Sequence, residues 1–287
     1  MKVKYLVLGA GISGISFVEQ KFSEDYLILE QKTEKGGYCG STIRNGYVWD
    51  YAGHFFHFQD EKLKKKFISK IGENNFVRVQ KNTKIYYKGH LINYPFQKNI
   101  HELSKTEFID CLYDLFFKKE KDDYTNFLDM LYGKFGVSIV EKFLRPYNEK
   151  LYGCDLNNLD ADAMGRFFPY ADIADIIQNM RLSSQESYND IFLYPKKGAV
   201  EFINSIDVDE KRIIYGIDIL TIDIDKKIVH TKQGNYEYEF LVSSIPLNQL
   251  LDYARVENNL SWNKVLVFNI GFDKKTNWGG TLGLRAG

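Results

Sequence analysis

The sequence predicts an α/β fold in which one strand-and-helix domain is interrupted by a largely helical segment and then resumes. Three observations predict it. The chain opens with a strand, a glycine-rich turn, a helix and a second strand. From Leu103 to roughly Ile177 the apolar spacing changes to three and four, as in Phe108, Cys111, Leu112, Leu115 and Phe116. Strand-like runs then return and end at Phe240-Leu241-Val242-Ser243-Ser244-Ile245-Pro246.

Lys2 to Leu8 reads as the first strand, followed by Gly9, Gly11 and Gly14, then by Tyr26 to Leu29 as the second strand, ending in Glu30. G-x-G-x-x-G alone is weak evidence, but in a strand-turn-helix-strand-acid order it reads as a Rossmann-like dinucleotide site. Gly9 allows the tight turn, Gly11 lets backbone amides approach a pyrophosphate, and Gly14 lets the helix pack on the strand. The pyrophosphate then lies at the positive end of the helix. Glu30, sixteen residues beyond Gly14, is placed to accept hydrogen bonds from both ribose hydroxyls, so a free 2′-OH is implied. Gln31-Lys32 is a poor substitute for a 2′-phosphate clamp, which disfavours NADP.

The loop Lys35-Gly36-Gly37-Tyr38-Cys39-Gly40-Ser41 is too glycine-rich for a helix and can wrap a ligand closely. An alternating stretch from Ile43 to Trp49 reads as a hairpin strand, and Asp60 to Ile71 as an amphipathic surface helix. Lys84 to Leu91 reads as two short strands with Gly89 in the turn. After the helical middle, Tyr194-Pro195-Lys196-Lys197-Gly198-Ala199 is turn chemistry before a short helix, Val200 to Ile206. Arg212 to Tyr215, Asp218 to Ile222, Lys227 to Thr231 and Tyr236 to Ser243 complete the strands.

At 287 residues the chain is within reach of one large domain or two interleaved ones. Its 38 lysines and arginines balance 38 aspartates and glutamates, so no overall field draws it to nucleic acid or to an anionic membrane. Cys39, Cys111 and Cys154 are far apart and show no ligand spacing, which argues against a disulfide framework and a structural zinc. His54 and His57 stand at i, i+3 without an evident third ligand, so no metal is expected. The first strand begins too early for a signal peptide, and no apolar run approaches the roughly eighteen residues of a membrane span. A cytoplasmic location is expected.

Together these motifs resemble the FAD-dependent superfamily that contains UDP-galactopyranose mutase, protoporphyrinogen oxidase and the flavin amine oxidases. Gly36-Gly37 after the ribose acid looks like that group's second flavin motif, with Tyr38 where an arginine is common. Gly53-His54-Phe55-Phe56-His57 looks like the mutase segment G-x-H-x-F-H, whose first histidine lies beside the flavin. Tyr94-Pro95-Phe96-Gln97-Lys98-Asn99 resembles its L-P-F-N-M-N segment, Pro146 to Gly153 its Y-T-x-K-Q-W-G segment, and Tyr194-Pro195 to Phe202 its later P-x-G-G-Y segment. The matches span residues 1 to about 250. Tyr152 stands where the mutase has a tryptophan, and Arg166-Phe167-Phe168-Pro169-Tyr170 replaces a segment with two arginines flanking the proline.

The resemblance implies FAD as cofactor, held by Gly9, Gly11, Gly14, Glu30, Gln31, Gly36, Gly37, Gly53 and His54, with His54 also the catalytic candidate. It implies a nucleotide-sugar substrate of cell-surface polysaccharide biosynthesis, attacked at its anomeric carbon by N5 of the reduced flavin. Arg145, Tyr147, Tyr152, Arg166 and Tyr194 are the substrate-binding candidates, and a homodimer is compatible with this reading. The competing chemistry is amine-oxidase-like hydride transfer to flavin. The expected domains are an FAD-binding first part over 1–100, a helical substrate domain over 101–190, and a return to the FAD-binding part over 191–287. Gly279 to Gly287 lacks the Lys/Asn/Ile/Tyr/Phe bias of the rest, which suggests an FAD-binding part that is C-terminally incomplete, and with it a third reading as a catalytically incomplete flavoprotein.

Overall fold

The computed structural model describes the chain except for Phe22, Ser23, Phe55, His57, Gln59, Lys81, Arg166, Phe167, Tyr170 and residues 182–190, 272–280 and 286–287. It divides into two units, Met1–Arg78 with Phe192–Asp273, and Val79–Ile191 with Lys274–Gly287.

In the first unit, β1 (Lys2–Leu8) leads through α1 (Ile12–Gln20) to β2 (Tyr26–Leu29). A hairpin of β3 (Ser41–Arg44) and β4 (Tyr47–Asp50) follows, then α2 (Glu61–Ile71) and β5 (Phe76–Gln80). Ile43 to Trp49 is therefore two strands, not one. Asn45 and Gly46, with φ of 53° and 77°, make the two-residue turn that right-twisted hairpins favour. α2 starts where expected because Asp60 caps it, its carboxylate accepting from the Lys62 amide at 2.7 Å.

The second unit begins with a hairpin of β6 (Asn82–Tyr87) and β7 (His90–Asn93), ahead of the helices α3 (Lys105–Phe117), α4 (Phe127–Ile139), α5 (Arg145–Tyr152) and α6 (Ile173–Asn179). α4 is kinked at Gly136, and Asp114 of α3 accepts from the Ser138 amide at 2.7 Å, capping the helix as it restarts. Phe96, Phe143 and Tyr147 stack in series, with centroids 4.8 and 5.0 Å apart, inside a core that also holds Phe127 and Phe135. Phe96, Gln97 and Asn99 are buried, and Asn99 donates to the Pro95 carbonyl at 2.8 Å, so the Tyr94–Asn99 segment is part of this interior.

The chain returns through β8 (Ile191–Pro195), which pairs with β5, to α7 (Val200–Asn204), β9 (Ile213–Ile214), β10 (Ile219–Asp223), β11 (Ile228–Thr231), β12 (Gly234–Ser243) and α8 (Leu247–Tyr253). The strand expected over Arg212 to Tyr215 shrinks to two residues because Glu210–Arg212 forms a 3-10 turn capped by Asp209. β13 (Thr281–Arg285) belongs to the second unit and pairs parallel to β6.

The first unit is built on a mixed six-stranded sheet in the order β10-β11-β12-β1-β2-β9. β12, β1, β2 and β9 run parallel, and an antiparallel meander extends the sheet beyond β12. All four residues of β2 are buried, as expected of a parallel strand covered on both faces. Leu6, Leu8, Leu27 and Leu29 face a cluster with Val229, Tyr236 and Tyr238, while Val7 and Ile28 face Ile15, Val18, Phe67 and Phe202.

Phe202 of α7 is fully buried among Phe56, Phe58, Phe67 and Phe76, with the Phe56 ring centroid 3.5 Å away. Phe202→Ala is expected to lower unfolding free energy by about 3–5 kcal/mol, measured by urea denaturation.

Candidate active-site cleft

A cleft of about 370 Å³ opens at the carboxyl ends of β1, β2 and β12, where nucleotide sites of open α/β sheets lie. Gly9, Gly11, Glu30, Gln31, Gly36 and Gly37 all line it. Two glycine loops form its floor. Gly36 donates to the Ala10 carbonyl at 2.9 Å, and a Cβ on Gly37 would sit 3.1 Å from the Gly11 Cα. Gly9 adopts φ 96°, a value that L side chains rarely reach.

Gly14 does not line the cleft. It lies beneath it, where a Cβ would come within 2.2 Å of the Gly9 carbonyl oxygen. This close approach seats α1 on the turn, and Gly11 at its N-cap provides no side-chain hydrogen bond to the first-turn amides. Those amides and the helix dipole together favour an anion.

Glu30 is 7% exposed, and its carboxylate is held on both sides. One oxygen accepts from the Ala10 amide at 2.7 Å and the other from the Lys32 amide at 2.8 Å. Each oxygen keeps a further lone pair for a ligand hydroxyl.

Sequence reasoning missed Ser244, Gln249 and Tyr253, which join the cleft from the segment after β12. The Ser244 hydroxyl donates to the carbonyls of Leu8 and Gly9 at 3.0 and 3.2 Å, tying the end of β12 to the glycine turn. Parallel pairing of Leu8 with Ser243 puts it there, a contact invisible to local pattern.

Gly53 and His54 lie outside the lining of this cleft. The His54 ring stacks toward Phe56 at 6.2 Å, and its Nδ1 is 2.8 Å from the Ala52 carbonyl. A carbonyl only accepts, so Nδ1 is the donor of this hydrogen bond, which fixes the ring and leaves Nε2 for another partner. The Tyr194 hydroxyl donates to Asp50, which also accepts from Ser41 and, at 3.3 Å, from the Ala199 amide. Burial first, and Asp50 second, push the Tyr194 phenol above its ordinary range. Burial, with the Asp50 charge, also raises the Cys39 thiol.

Arg145, Tyr147 and Tyr152 all lie on α5 in the second unit. Arg145 pairs with Glu149 at 2.9 Å and Glu141 at 3.4 Å, Tyr147 stacks on Phe143, and Tyr152 meets Phe127 edge-on. Arg166 and His57 lie outside the described residues. Among the described residues no group of three or more His, Cys, Asp or Glu side chains could hold a metal ion, and no helix is long and apolar enough to cross a membrane.

Gly14→Ala is expected to destabilise the protein by about 1–3 kcal/mol in urea denaturation, because α1 must shift off the Gly9 carbonyl. For Tyr194 the unfolded chain loses a phenol proton near pH 10 that the folded chain keeps, so its contribution to stability is full below about pH 10 and falls as pH rises. Between about pH 8 and about pH 11, Tyr194→Phe should lose less stability than the wild type.

No family model matches the chain. UDP-galactopyranose mutase of Mycoplasma pneumoniae is 29% identical over 182 residues, 58% of this chain and 44% of that protein. A crystal structure of reduced UDP-galactopyranose mutase superposes with a TM-score of 0.75 at 22% identity, covering 88% of this chain and 57% of that one. A structure assigned as a protoporphyrinogen oxidase from Exiguobacterium gives a TM-score of 0.61 at 17% identity, over 87% of this chain and 61% of that one. The chain thus spans less than half of the curated relative and little more than half of the mutase structure. The chain is similar to UDP-galactopyranose mutase in sequence and in fold, and its fold is also similar to that of the protoporphyrinogen oxidase structure and of putrescine oxidase.

Proposed function

We propose that the chain is an FAD-dependent enzyme of the mutase type, acting on a nucleotide sugar in cell-surface polysaccharide biosynthesis. The observation that carries this reading is the cleft floor, where two glycine loops meet beside the uncapped start of α1 and the buried Glu30. These residues fit the ADP half of a dinucleotide. The first-turn amides of α1 are disposed to take a pyrophosphate, the close backbone approach at Gly11 and Gly37 leaves no side chain over it, and Glu30 has free lone pairs for the ribose hydroxyls. Gln31 lines the adenosine end of the same cleft, and Gly14 keeps the helix start in place. The likeness to the mutase in both sequence and fold supports FAD over a simple nicotinamide dinucleotide.

Bound FAD would supply a redox-switchable centre for chemistry at the sugar's anomeric carbon. Gly53 and His54 are assigned to the flavin half, where the His54 Nε2 can accept a hydrogen bond while Nδ1 is anchored on Ala52. On α5, Arg145 and Tyr152 stand seven residues and about two turns apart, so both project from one side of the helix. Arg145, Tyr147 and Tyr152, with Arg166, are assigned to the nucleotide sugar, and the guanidinium's remaining donors suit a diphosphate. Tyr194 is assigned a positioning role through Asp50 rather than direct substrate contact.

The test is the ultraviolet-visible spectrum of the protein incubated with FAD and passed through gel filtration, before and after dithionite, with UDP-galactopyranose added. The expected result is retained flavin absorbance that bleaches on reduction, and a reduced protein that binds the sugar nucleotide and converts it. Loss of all flavin on the column overturns the cofactor assignment. Retained flavin with neither binding nor conversion of UDP-galactopyranose overturns the mutase assignment, and flavin bleaching by an amine substrate instead would place the chain with the oxidases.

A further inference from the structure

A cation beside the ribose acid is the ingredient from which a 2′-phosphate site is made. Lys32 is such a cation. It lines the cleft next to Glu30, and its backbone amide donates to the Glu30 carboxylate at 2.8 Å. A free ammonium at this position would draw a 2′-phosphate and offset the repulsion from Glu30.

The ammonium is not free. Lys32 Nζ donates to the Tyr51 hydroxyl at 2.8 Å and lies 4.5 Å from the centroid of the same ring, a cation–π distance. Tyr51 is fixed in turn. Tyr38, from the second glycine loop, meets it edge-on at 6.1 Å with an interplanar angle of 89°. A chain of contacts thus runs from the second glycine loop through Tyr38 and Tyr51 to Lys32 and back to Glu30. An arginine in place of Tyr38 would bring a second cation beside Lys32, whereas the tyrosine supports the ring that holds it.

We infer that Tyr51 is a specificity-determining residue: by sequestering the Lys32 ammonium it makes the adenosine end of the cleft select a free 2′-OH over a 2′-phosphate. This rests on the nucleotide reading of the cleft and adds to it which residue sets the discrimination. Glu30 supplies the attraction for the hydroxyl, and Tyr51 weakens the competing attraction for the phosphate.

The experiment compares ADP-ribose with 2′-phospho-ADP-ribose, which differ only in the 2′-phosphate, by isothermal titration calorimetry on the wild type, Tyr51→Phe, Tyr51→Ala and Lys32→Ala/Tyr51→Ala. The wild type should favour ADP-ribose. Tyr51→Ala should move the ratio of affinities about three- to fivefold toward the 2′-phosphate, the size of an exposed cation–π contact. Tyr51→Phe should move it less, since the ring remains, and the double variant should return it to the wild-type value. Because Tyr51 is half exposed, these variants keep the core intact. ADP-ribose binding with a ratio that Tyr51→Ala leaves unmoved, or a shift that survives in the double variant, overturns the role of Tyr51. Failure of the wild type to bind ADP-ribose at all overturns the nucleotide reading and this inference with it.

Discussion

The cleft depends on the backbone of Ala10. Its N–H is taken by the Glu30 carboxylate and its C=O by Gly36, so one residue joins the first glycine turn to the end of β2 and to the second glycine loop. Ala10 is fully buried, and loss of either partner would leave a polar backbone group without water. The approach is close enough that a Cβ on Gly37 would lie 3.1 Å from the Gly11 Cα. Everything else in the site, including the aromatic chain from Tyr38 to Lys32, is arranged around this three-way junction.

Much of the fold was legible because it is set locally. Lys2–Leu8 and Tyr26–Leu29 are strands of nearly the expected length, and Asp60 marked the start of α2. Turn chemistry is legible where glycine breaks the pattern. Gly89 signals the β6–β7 turn, whereas Asn45-Gly46 sits within an alternating run that masks the turn, although both residues have positive φ. The reduction of β9 to two residues reflects a competing local preference, Asp209 capping a 3-10 turn against the strand propensity of Ile213 and Ile214.

The candidate site was legible in part for the same reason. Gly9, Gly11, Glu30, Gly36 and Gly37 belong to two short stretches of recognisable spacing, and all line the cleft. Ser244, Gln249 and Tyr253 carry no such spacing and reach the cleft only through the pairing of β12 with β1. The partner of Tyr194 is likewise unmarked by spacing: its half-buried hydroxyl donates to Asp50, which ends β4 and is brought to it by the fold.

The placement of β1 has a further consequence, in time rather than in space. β1 lies between β2 and β12, and Val3 pairs with Tyr238, about 235 residues later in the chain. On a ribosome adding roughly 5–20 residues per second, the β12 side of β1 stays open for roughly ten to fifty seconds after β1 is made. During that interval an apolar strand, buried on both faces in the finished sheet, has a free edge able to pair with other chains. The interruption is one of sequence, with the second unit's residues lying between β2 and β9 in the chain, and it makes biosynthesis a stage at which the edge of β1 is open to aggregation.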